Sequence, residues 1–447
     1  MVDKYIQKNE PSFIIILSNN LRKEAHIYYN PYPDVLKDEN LEVIDTKELN
    51  GILFVSLLLH PKDSYICPQC NSNYVIKDGI RTRNVNINLS TISRSIVSLK
   101  FNRFLCKECG HIFNDDLSSI VNKKESISRT TRISILFDLK CDLSFSYIAN
   151  KNNVSVTSVI DIFNRHANDE RLSFPEVICV DEFKNLKSAK GKYAFLILDP
   201  IDKKIIDCLP DRRLDHLTYY FNNIPVIERN NVKYIISDMF EGYRSIISYY
   251  FPNATHIIDA FHYSRYVYDA FNKVRIRIEK NYKDDTPEYK MLKKHWKLLF
   301  KYYKDIRLDK QTYNYFLKEY KSISYNIDRC LEIDEELLNA YIFKESFIKS
   351  MRELKYENAK AFFDKWIIEC RDTNIPEFQE IYTMFIHFEK EIINSFIRFG
   401  DKRLSNGPIE GMNNRIKNIK RISYGYYNFH NFRKRLMYII NDSIRIK

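Results

Sequence analysis

Short apolar runs that end in or near an acidic residue recur between residues 176 and 262. The runs EVICVDEF (176–183), KYAFLILDP (192–200) and KKIIDCLP (203–210) predict three strands, with a turn joining the second to the third. Two further runs, VKYIISD (232–238) and ATHIIDAFH (254–262), predict two more strands. The helical patterns LDHLTYYFNNI and EGYRSIISYYF precede them. The predicted order is therefore β-β-β-α-β-α-β.

This order is that of an RNase H-like core, in which the first and fourth strands lie side by side. Asp181 and Asp238 close those two strands, so we expect them to meet at one edge of the sheet. Two carboxylates held together repel, and a hard divalent cation, Mg²⁺ or Mn²⁺, removes the repulsion. A structural role as a helix N-cap is the alternative for Asp181 alone and for Asp259. We expect His262 to be a packed or substrate-side residue.

A late basic segment supplies a third acid. SNGPIEGMNNRIKNIKR (405–421) predicts a helix that carries Glu410, Asn414, Lys417 and Arg421 on one face. Alone, Glu410 would be an ordinary surface residue, but with the two strand aspartates it predicts a metal site beside cations that track phosphates. The predicted DNA contacts on this helix are Asn414, Arg415, Lys417, Lys420 and Arg421.

The charge balance agrees with a polyanionic partner. The chain has 70 Lys+Arg and 58 Asp+Glu, a formal net charge of +12, and residues 401–447 hold 11 Lys+Arg against 3 Asp+Glu. A basic end of this kind favours a phosphate-rich partner or an acidic membrane surface, and a merely solvated face is the alternative. The apolar run GILFVSLLL (51–59) is too short to span a bilayer. We therefore expect a cytoplasmic protein without a membrane partner.

Four cysteines form two pairs of identical spacing. Cys67 and Cys70 lie in ICPQC, and Cys106 and Cys109 lie in LCKECGH. Two such knuckles complete a tetrahedral shell for structural Zn²⁺, and the strand-like stretch between them suits the β-hairpin of a zinc ribbon. A redox dithiol or a coincidence of spacing is the alternative. The shell would have no open position, so this zinc would stabilise the fold and not catalyse.

A helix-turn-helix pattern follows the second cysteine pair. In SFSYIANKNNVSVTSVIDIFNRH, Ala149 would allow close helix approach, Val154 would fill the elbow and Ser155 would cap the second helix. An ordinary helical hairpin is the alternative. The second helix would present side chains to DNA bases, and the predicted contacts are Thr157, Ser158, Asn164 and Arg165.

The pattern between residues 265 and 399 predicts helices throughout. Trp296 and Trp366 are expected to be buried anchors there, and the single cysteines to pack in the core. These cysteines are Cys141, Cys179, Cys208, Cys330 and Cys370.

The predicted fold class is multidomain α+β. The predicted domains are an N-terminal region (1–60), a zinc-ribbon-like domain (61–125), a helix-turn-helix DNA-binding domain (126–170), an RNase H-like catalytic core (171–264 and 400–447) and an all-helical insertion in that core (265–399).

Together these motifs resemble the ISL-three family of bacterial insertion-sequence transposases. The resemblance rests on the two cysteine pairs, VDEF, SDMFEGY, FPNATHIIDAFH, and SNGPIEGMNNRIKNIKR followed by SYGYYNFHNFRKR. It implies a DDE transposase with an RNase H-like core, a helical insertion, a zinc-binding region and a helix-turn-helix, and it implies Asp181, Asp238 and Glu410 as the catalytic triad. Ala260 is a departure, since the family usually has an arginine before the phenylalanine, and a DNA contact by that arginine is absent.

The expected activity is binding of terminal inverted repeats, followed by Mg²⁺-dependent cleavage and strand transfer. One ion would activate water and another would stabilise the leaving 3′-oxygen, after which the 3′-OH attacks target DNA. Because two ends must be held together, we expect a homodimer or larger on DNA. The alternatives are a non-catalytic repressor that uses the same DNA-binding modules, and an RNase H-like nuclease acting on junctions or RNA–DNA hybrids.

Overall fold

The computed structural model describes residues 40–87, 94–168, 170–422 and 428–441. These residues fall into two compact units: the first comes from 40–87, 94–168, 417–422 and 430–441, and the second from 170–416 and 428–429. No helix in the described part of the chain has both the length and the apolar composition needed to cross a membrane.

The first unit begins with a five-stranded sheet. Its strands are β1 (Leu41–Leu49), β2 (Ile52–Leu59), β3 (Val75–Val85), β4 (Arg94–Cys106) and β5 (Ile112–Asn114). The order is β1-β2-β4-β3 with β5 on β4, and only the β2–β4 pair is parallel. The antiparallel β3–β4 pair confirms the hairpin predicted between the two cysteine pairs.

The same unit contains four helices that share a core. They are α1 (Arg129–Asp138), α2 (Phe145–Lys151), α3 (Val156–His166) and the late helix α15 (Phe429–Asn441). Tyr438 of α15 belongs to the hydrophobic cluster that Ile148, Val159 and Phe163 build. The ring of Tyr438 lies 5.6 Å from that of Phe163 in an edge-on contact, so the last helix completes the core of the early ones.

The second unit is built on a mixed sheet. Its strands are β6 (Val177–Lys184), β7 (Tyr193–Asp199), β8 (Lys204–Leu209), β9 (Tyr234–Ser237) and β10 (Thr255–Ile258), in the order β10-β9-β6-β7-β8. The strands β6, β7 and β8 are antiparallel neighbours, whereas β9 is parallel to both β6 and β10. The predicted strands are confirmed, and so is the predicted adjacency of the first and fourth.

Helices cover this sheet and extend into a large helical region. They are α4 (Leu214–Asn222), α5 (Val226–Asn230), α6 (Glu241–Tyr250), α7 (Ala260–Glu279), α8 (Pro287–Phe300), α9 (Ile323–Leu331), α10 (Glu335–Glu353), α11 (Tyr356–Asp372), α12 (Pro376–His387), α13 (Glu389–Asn394) and α14 (Gly407–Ile422). A short pair, β13 (Arg398–Phe399) and β14 (Lys402–Arg403), precedes α14, and α14 crosses the boundary between the units after Ile416.

The expectation of a purely helical region at 265–399 is wrong at its end, where β13 (Arg398–Phe399) lies, and in its middle. An antiparallel hairpin, β11 (Gln311–Asn314) and β12 (Glu319–Ser322), interrupts the helices. Buried Asn314 accepts the N–H groups of Phe316 and Leu317 at its side-chain oxygen, which makes the turn. Its amide donates to Asn326 of α9 at 2.7 Å, so the hairpin is fixed to a helix by polar contacts that hydrophobic periodicity does not reveal.

Two expectations about burial are also corrected. Trp366 is 1% exposed, as predicted, but Trp296 is 38% exposed. Cys141 is exposed, whereas the other four single cysteines are buried as predicted. Trp296 packs its edge against Phe300 and Cys141 follows the end of α1, so each lies at the rim of a core and not inside it.

Candidate functional site

The parallel strands β6 and β9 bring two aspartates to one edge of the second unit's sheet. Asp181 lies within β6, and Asp238 directly follows β9. Burial, and then repulsion from Asp238, raises the pKa of Asp181 to about 7. The two predicted carboxylates therefore interact, and their negative charges repel each other in the protein without a bound cation.

Asp181 is not a helix cap, which was the alternative. Its Oδ1 accepts the N–H of the next residue, Glu182, at 2.7 Å, and the following element is a strand. Successive strand residues face opposite sides, and Glu182 is held by hydrogen bonds from Arg212 and Tyr243. The two neighbouring acids of VDEF therefore have different environments. Glu182 is paired with Arg212 and Tyr243, and Asp181 faces Asp238.

Asp259 is a helix N-cap, which was the alternative prediction for this residue. The side chain is 3% exposed, and its Oδ2 accepts the N–H of Phe261 at the start of α7 at 3.1 Å. Its Oδ1 accepts the N–H of Asn406, which precedes α14, at 2.8 Å. Asp259 therefore joins the starts of two helices that are far apart in the chain.

His262 belongs to the acidic site. Its Nε2 lies 2.8 Å from Oδ1 of Asp238. Burial alone would lower the pKa of His262, but the hydrogen bond and charge of Asp238, with the charge of Asp259, raise it overall. The sequence offered no ligand spacing for this histidine, because the strand-to-helix connection and not a local motif brings it to Asp238.

Glu410 on α14 reaches the same edge of the sheet. One ligand atom each from Asp259, His262 and Glu410 lies within 4.8 Å of the others, a spacing that could hold a metal ion. His262 in turn contacts Asp238, so Glu410 and Asp238 both have His262 as a neighbour. Glu410 is exposed, whereas Asp181 and Asp238 are partly buried, which leaves the site open on the helix side.

The polar face predicted for α14 is confirmed as an exposed face. Glu410, Asn414, Lys417 and Arg421 are all exposed, as is Arg415, and Lys420 is half-buried. The opposite face is apolar, and Ile409, Met412, Ile416 and Ile419 are buried. The helix therefore has one buried apolar face and one exposed face that is mainly basic.

Two asparagines of this site were missed. Asn406 and Asn413 are 1% and 8% exposed, and their amides donate to Asp238 and Asp181. They lie four residues before and three residues after Glu410, the first directly before α14 and the second in its second turn. That spacing was visible in the sequence, but asparagine side chains rarely mark a site without a known carboxylate partner.

The four cysteines of the first unit converge as the knuckle spacing predicts. Cys67 Sγ lies 3.6 Å from Cys109 Sγ, Cys70 Sγ lies 3.6 Å from Cys106 Sγ, and all four fall within 4.8 Å of one another. A tetrahedron with Zn–S bonds of about 2.3 Å has S–S edges of roughly 3.8 Å, so the cluster fits Zn²⁺.

The two knuckles have the same backbone geometry. Asn71 N–H donates to Cys67 O, and Gly110 N–H donates to Cys106 O, both at 3.0 Å. Asn71 and Gly110 have φ values of 60° and 72°, the left-handed conformation that these residue types tolerate best. These two residues therefore make the turns that close the knuckles.

The predicted helix-turn-helix segment forms two short helices around a tight turn. Ser155 caps α3 by accepting the N–H of Ser158 at 3.0 Å, and Ala149 is buried as predicted. Thr157, Asn164 and Arg165 are exposed, while Ser158 is half-buried with its hydroxyl 2.8 Å from that of Ser155. Ser158 is therefore part of the cap as well as a predicted DNA contact.

Comparison with known proteins relates the chain to transposases. A family model described as Transposase, that of the ISL-three (ISL3) DDE family, matches residues 178–436, a range that contains Asp181, Asp238 and Glu410. The chain is 24% identical over 253 residues to the transposase for insertion sequence element IS1001 of Bordetella parapertussis. This match covers 56% of the chain and 57% of that protein.

A second curated relative comes from Lactococcus lactis subsp. lactis and is named an ATP-dependent protease. It is 31% identical over 127 residues, which cover 28% of the chain and 38% of that protein. The chain thus spans little more than half the length of the first relative and less of the second.

Proposed function

Because the chain belongs to the ISL-three family of DDE transposases, we propose that it is the transposase of an insertion sequence and acts on DNA. Its substrates are the terminal inverted repeats of the element and a target DNA. The reaction is Mg²⁺- or Mn²⁺-dependent cleavage at the element ends, followed by strand transfer.

The placement of three acids from distant parts of the chain at one edge of the sheet supports this proposal most directly. Asp181 and Asp238 come from neighbouring parallel strands of an RNase H-like core, and Glu410 comes from α14 at the same edge. All three offer hard oxygen ligands, and the raised pKa of Asp181 reflects first its burial and then repulsion from Asp238, both of which a divalent cation would offset. Bound ions would supply activation of water and stabilisation of the leaving 3′-oxygen.

The residues around the acids hold them in place. Nε2 of His262 lies 2.8 Å from Oδ1 of Asp238, within hydrogen-bond distance. Asp259 accepts the backbone N–H of Asn406 and so fixes the start of α14. Arg415, Lys417 and Arg421 continue the same helix as exposed cations, which suits a phosphate backbone that passes the metal site. The single acid among those cations is then a metal ligand and not a source of repulsion.

DNA recognition is assigned to the first unit and to α14. In the first unit, α2 and α3 form a helix-turn-helix whose Thr157, Ser158, Asn164 and Arg165 contact bases or phosphates, next in the chain to a Zn²⁺ ribbon held by the four clustered cysteines. On α14 the DNA contacts are Asn414, Arg415, Lys417, Lys420 and Arg421. Two element ends must be joined, so the active form is a homodimer or larger.

A cleavage assay with Mg²⁺ on the DNA that flanks the coding region tests the proposal. Asp181→Asn, Asp238→Asn and Glu410→Gln should each reduce cleavage by at least about a thousandfold, because each removes a charged ligand. DNA binding in a gel-shift assay should remain. Asp202→Asn, which alters an exposed aspartate in the turn between β7 and β8 of the same sheet, is the matched control and should cleave normally.

Three outcomes would contradict parts of the proposal. Wild-type cleavage by any of the three acid variants removes that acid from the site. Salt-sensitive binding without cleavage of any DNA indicates a repressor. Cleavage without joined products indicates a nuclease, because only a transposase forms strand-transfer products.

A further inference from the structure

Asp181, Asp238 and Asp259 each accept a hydrogen bond from an asparagine just before α14 or in its second turn. Asp181 accepts from Asn413, Asp238 accepts from the Asn406 side chain, and Asp259 accepts from the Asn406 backbone. We infer that Asn413 and Asn406 are positioning residues that fix the metal-binding carboxylates, and Glu410 between them, in one arrangement. This inference rests on the proposed function and names further residues of the same site.

Asn413 fixes the orientation of Asp181. Its Nδ2 donates to Oδ2 of Asp181 at 2.6 Å, while Glu182 N–H donates to Oδ1 at 2.7 Å. One donor belongs to β6 itself and the other to a helix more than two hundred residues later, so the carboxylate is held from two sides. A carboxylate fixed in this way presents its remaining lone pairs in a constant direction.

Asn406 fixes the start of the helix. Its backbone N–H donates to Asp259 at 2.8 Å, and its carbonyl accepts the N–H groups of Ile409 and Glu410 at 3.0 Å. The side chain of Asn406 also lies 3.3 Å from Oδ1 of Asp238. Asn406 therefore ties the first turn of α14, which carries Glu410, to the ends of both β9 and β10.

Each of the two amides pairs its N–H group with a carboxylate and, within the described chain, leaves its own oxygen unpaired. The Oδ1 atoms of Asn406 and Asn413 are buried, and neither has a hydrogen-bond partner among the residues described. Buried polar atoms are nearly always paired, so an unpaired one needs an explanation. Here the explanation is that each amide must turn its N–H toward an anion, which holds two repelling carboxylates together before a cation arrives.

Metal affinity of the zinc-loaded, full-length protein tests this inference. Binding of Mn²⁺ is measured by electron paramagnetic resonance for wild type, Asn413→Leu and Asn413→Ala. Leucine keeps a similar volume but donates no hydrogen bond. Both variants should bind Mn²⁺ about 10–100-fold more weakly, as is usual when a partner of a metal ligand is lost. In cleavage, the half-saturating Mg²⁺ concentration should rise more than the maximal rate falls.

Matched variants make each outcome decisive. Asn418→Ala changes an exposed asparagine of the same helix and should leave Mn²⁺ affinity unchanged. If the leucine variant unfolds by circular dichroism, Asn413→Ser, which keeps a donor, is compared with Asn413→Ala: tighter binding by serine supports the inference, and equal binding overturns it. Wild-type affinity in a folded leucine variant also overturns it.

Asp181→Asn separates this inference from the proposed function. Loss of Mn²⁺ binding in Asp181→Asn with no effect of Asn413→Leu would reject the positioning role alone. Retention of Mn²⁺ binding in Asp181→Asn would reject the metal site itself.

Discussion

The cysteine cluster and the acidic site are assembled in opposite ways. The cysteine ligands come from two turns with the same hydrogen bonds, at positions 67–70 and 106–109, and the hairpin between them brings the turns together. The acids come from positions 181 to 410, and strand order, a helix cap and two asparagines bring them together. A closed shell of four thiolates suits a structural role, whereas an exposed Glu410 beside partly buried aspartates suits an open site that admits substrate.

Removal of a zinc ligand should have the largest effect. Cys67→Ser should abolish zinc binding and unfold the ribbon, because structural zinc contributes on the order of 10 kcal/mol in small domains. Zinc content and far-UV circular dichroism would show the loss. Both tryptophans, Trp296 and Trp366, lie in the second unit, so tryptophan fluorescence should stay unchanged.

The matched control for this experiment is Cys141→Ser. Cys141 is exposed and lies outside the cluster, so its replacement should retain zinc and structure. Stoichiometric zinc in Cys67→Ser would show that the cluster is not closed by four thiolates. A change of tryptophan fluorescence in Cys67→Ser would show that the two sites are not independent.

Replacement of the buried residue Asp259 should have an intermediate effect on stability. Asp259→Ala leaves the N–H groups of Phe261 and Asn406 without their acceptor, which should destabilise the second unit by about 2–4 kcal/mol. Urea denaturation followed by tryptophan fluorescence measures the change. Asp259→Asn keeps one side-chain oxygen and should lose about half as much. Equal stability of wild type and Asp259→Ala would show that α14 is held in place without this residue.

The pH dependence of stability should show the smallest effect. The pKa of Asp181 is raised from 3.8 to about 7 in the folded protein, so between these pH values the folded state binds the extra proton. Stability from this group is therefore lost as pH rises through about 7. Without added Mg²⁺ or Mn²⁺, Asp181→Asn should be more stable than wild type at pH 8 by on the order of 1–2 kcal/mol, with a smaller advantage at pH 5.

Addition of Mg²⁺ at pH 8 sharpens this last test. The ion should stabilise wild type and not Asp181→Asn, because only wild type has the carboxylate to bind it. The same tryptophan-detected urea transitions would measure both. An advantage of Asp181→Asn that does not change between pH 5 and pH 8 would argue that the pKa of Asp181 is not raised in the folded protein.

Local spacing made the cysteine cluster and the sheet predictable. Cys67 and Cys106 begin knuckles whose turns depend on the next few residues, and the strands around Asp181 and Asp238 are short, apolar and separated by turn or helix patterns. Strand order followed from the order of elements, and with it the meeting of the two aspartates.

Contacts between distant segments were not predictable in the same way. Asn413 becomes informative only when its partner, 232 positions earlier, is known to face it. The hairpin of β11 and β12 depends on the side-chain bonds of Asn314, and the exposure of Trp296 depends on where neighbouring helices end. Each of these is decided by polar pairing or by the limits of a core, which hydrophobic periodicity does not record.

The contact between α15 and the early helices has a consequence for synthesis on the ribosome. Tyr438 donates its hydroxyl to the carbonyl of Leu136, across 302 positions of sequence. At translation rates of ~5–20 residues per second, α1 emerges roughly 15–60 s before Tyr438 is made. During that interval the nascent helices lack the side chain of Tyr438 from their hydrophobic cluster, so a prematurely terminated chain would carry α1, α2 and α3 without the helix that completes their core.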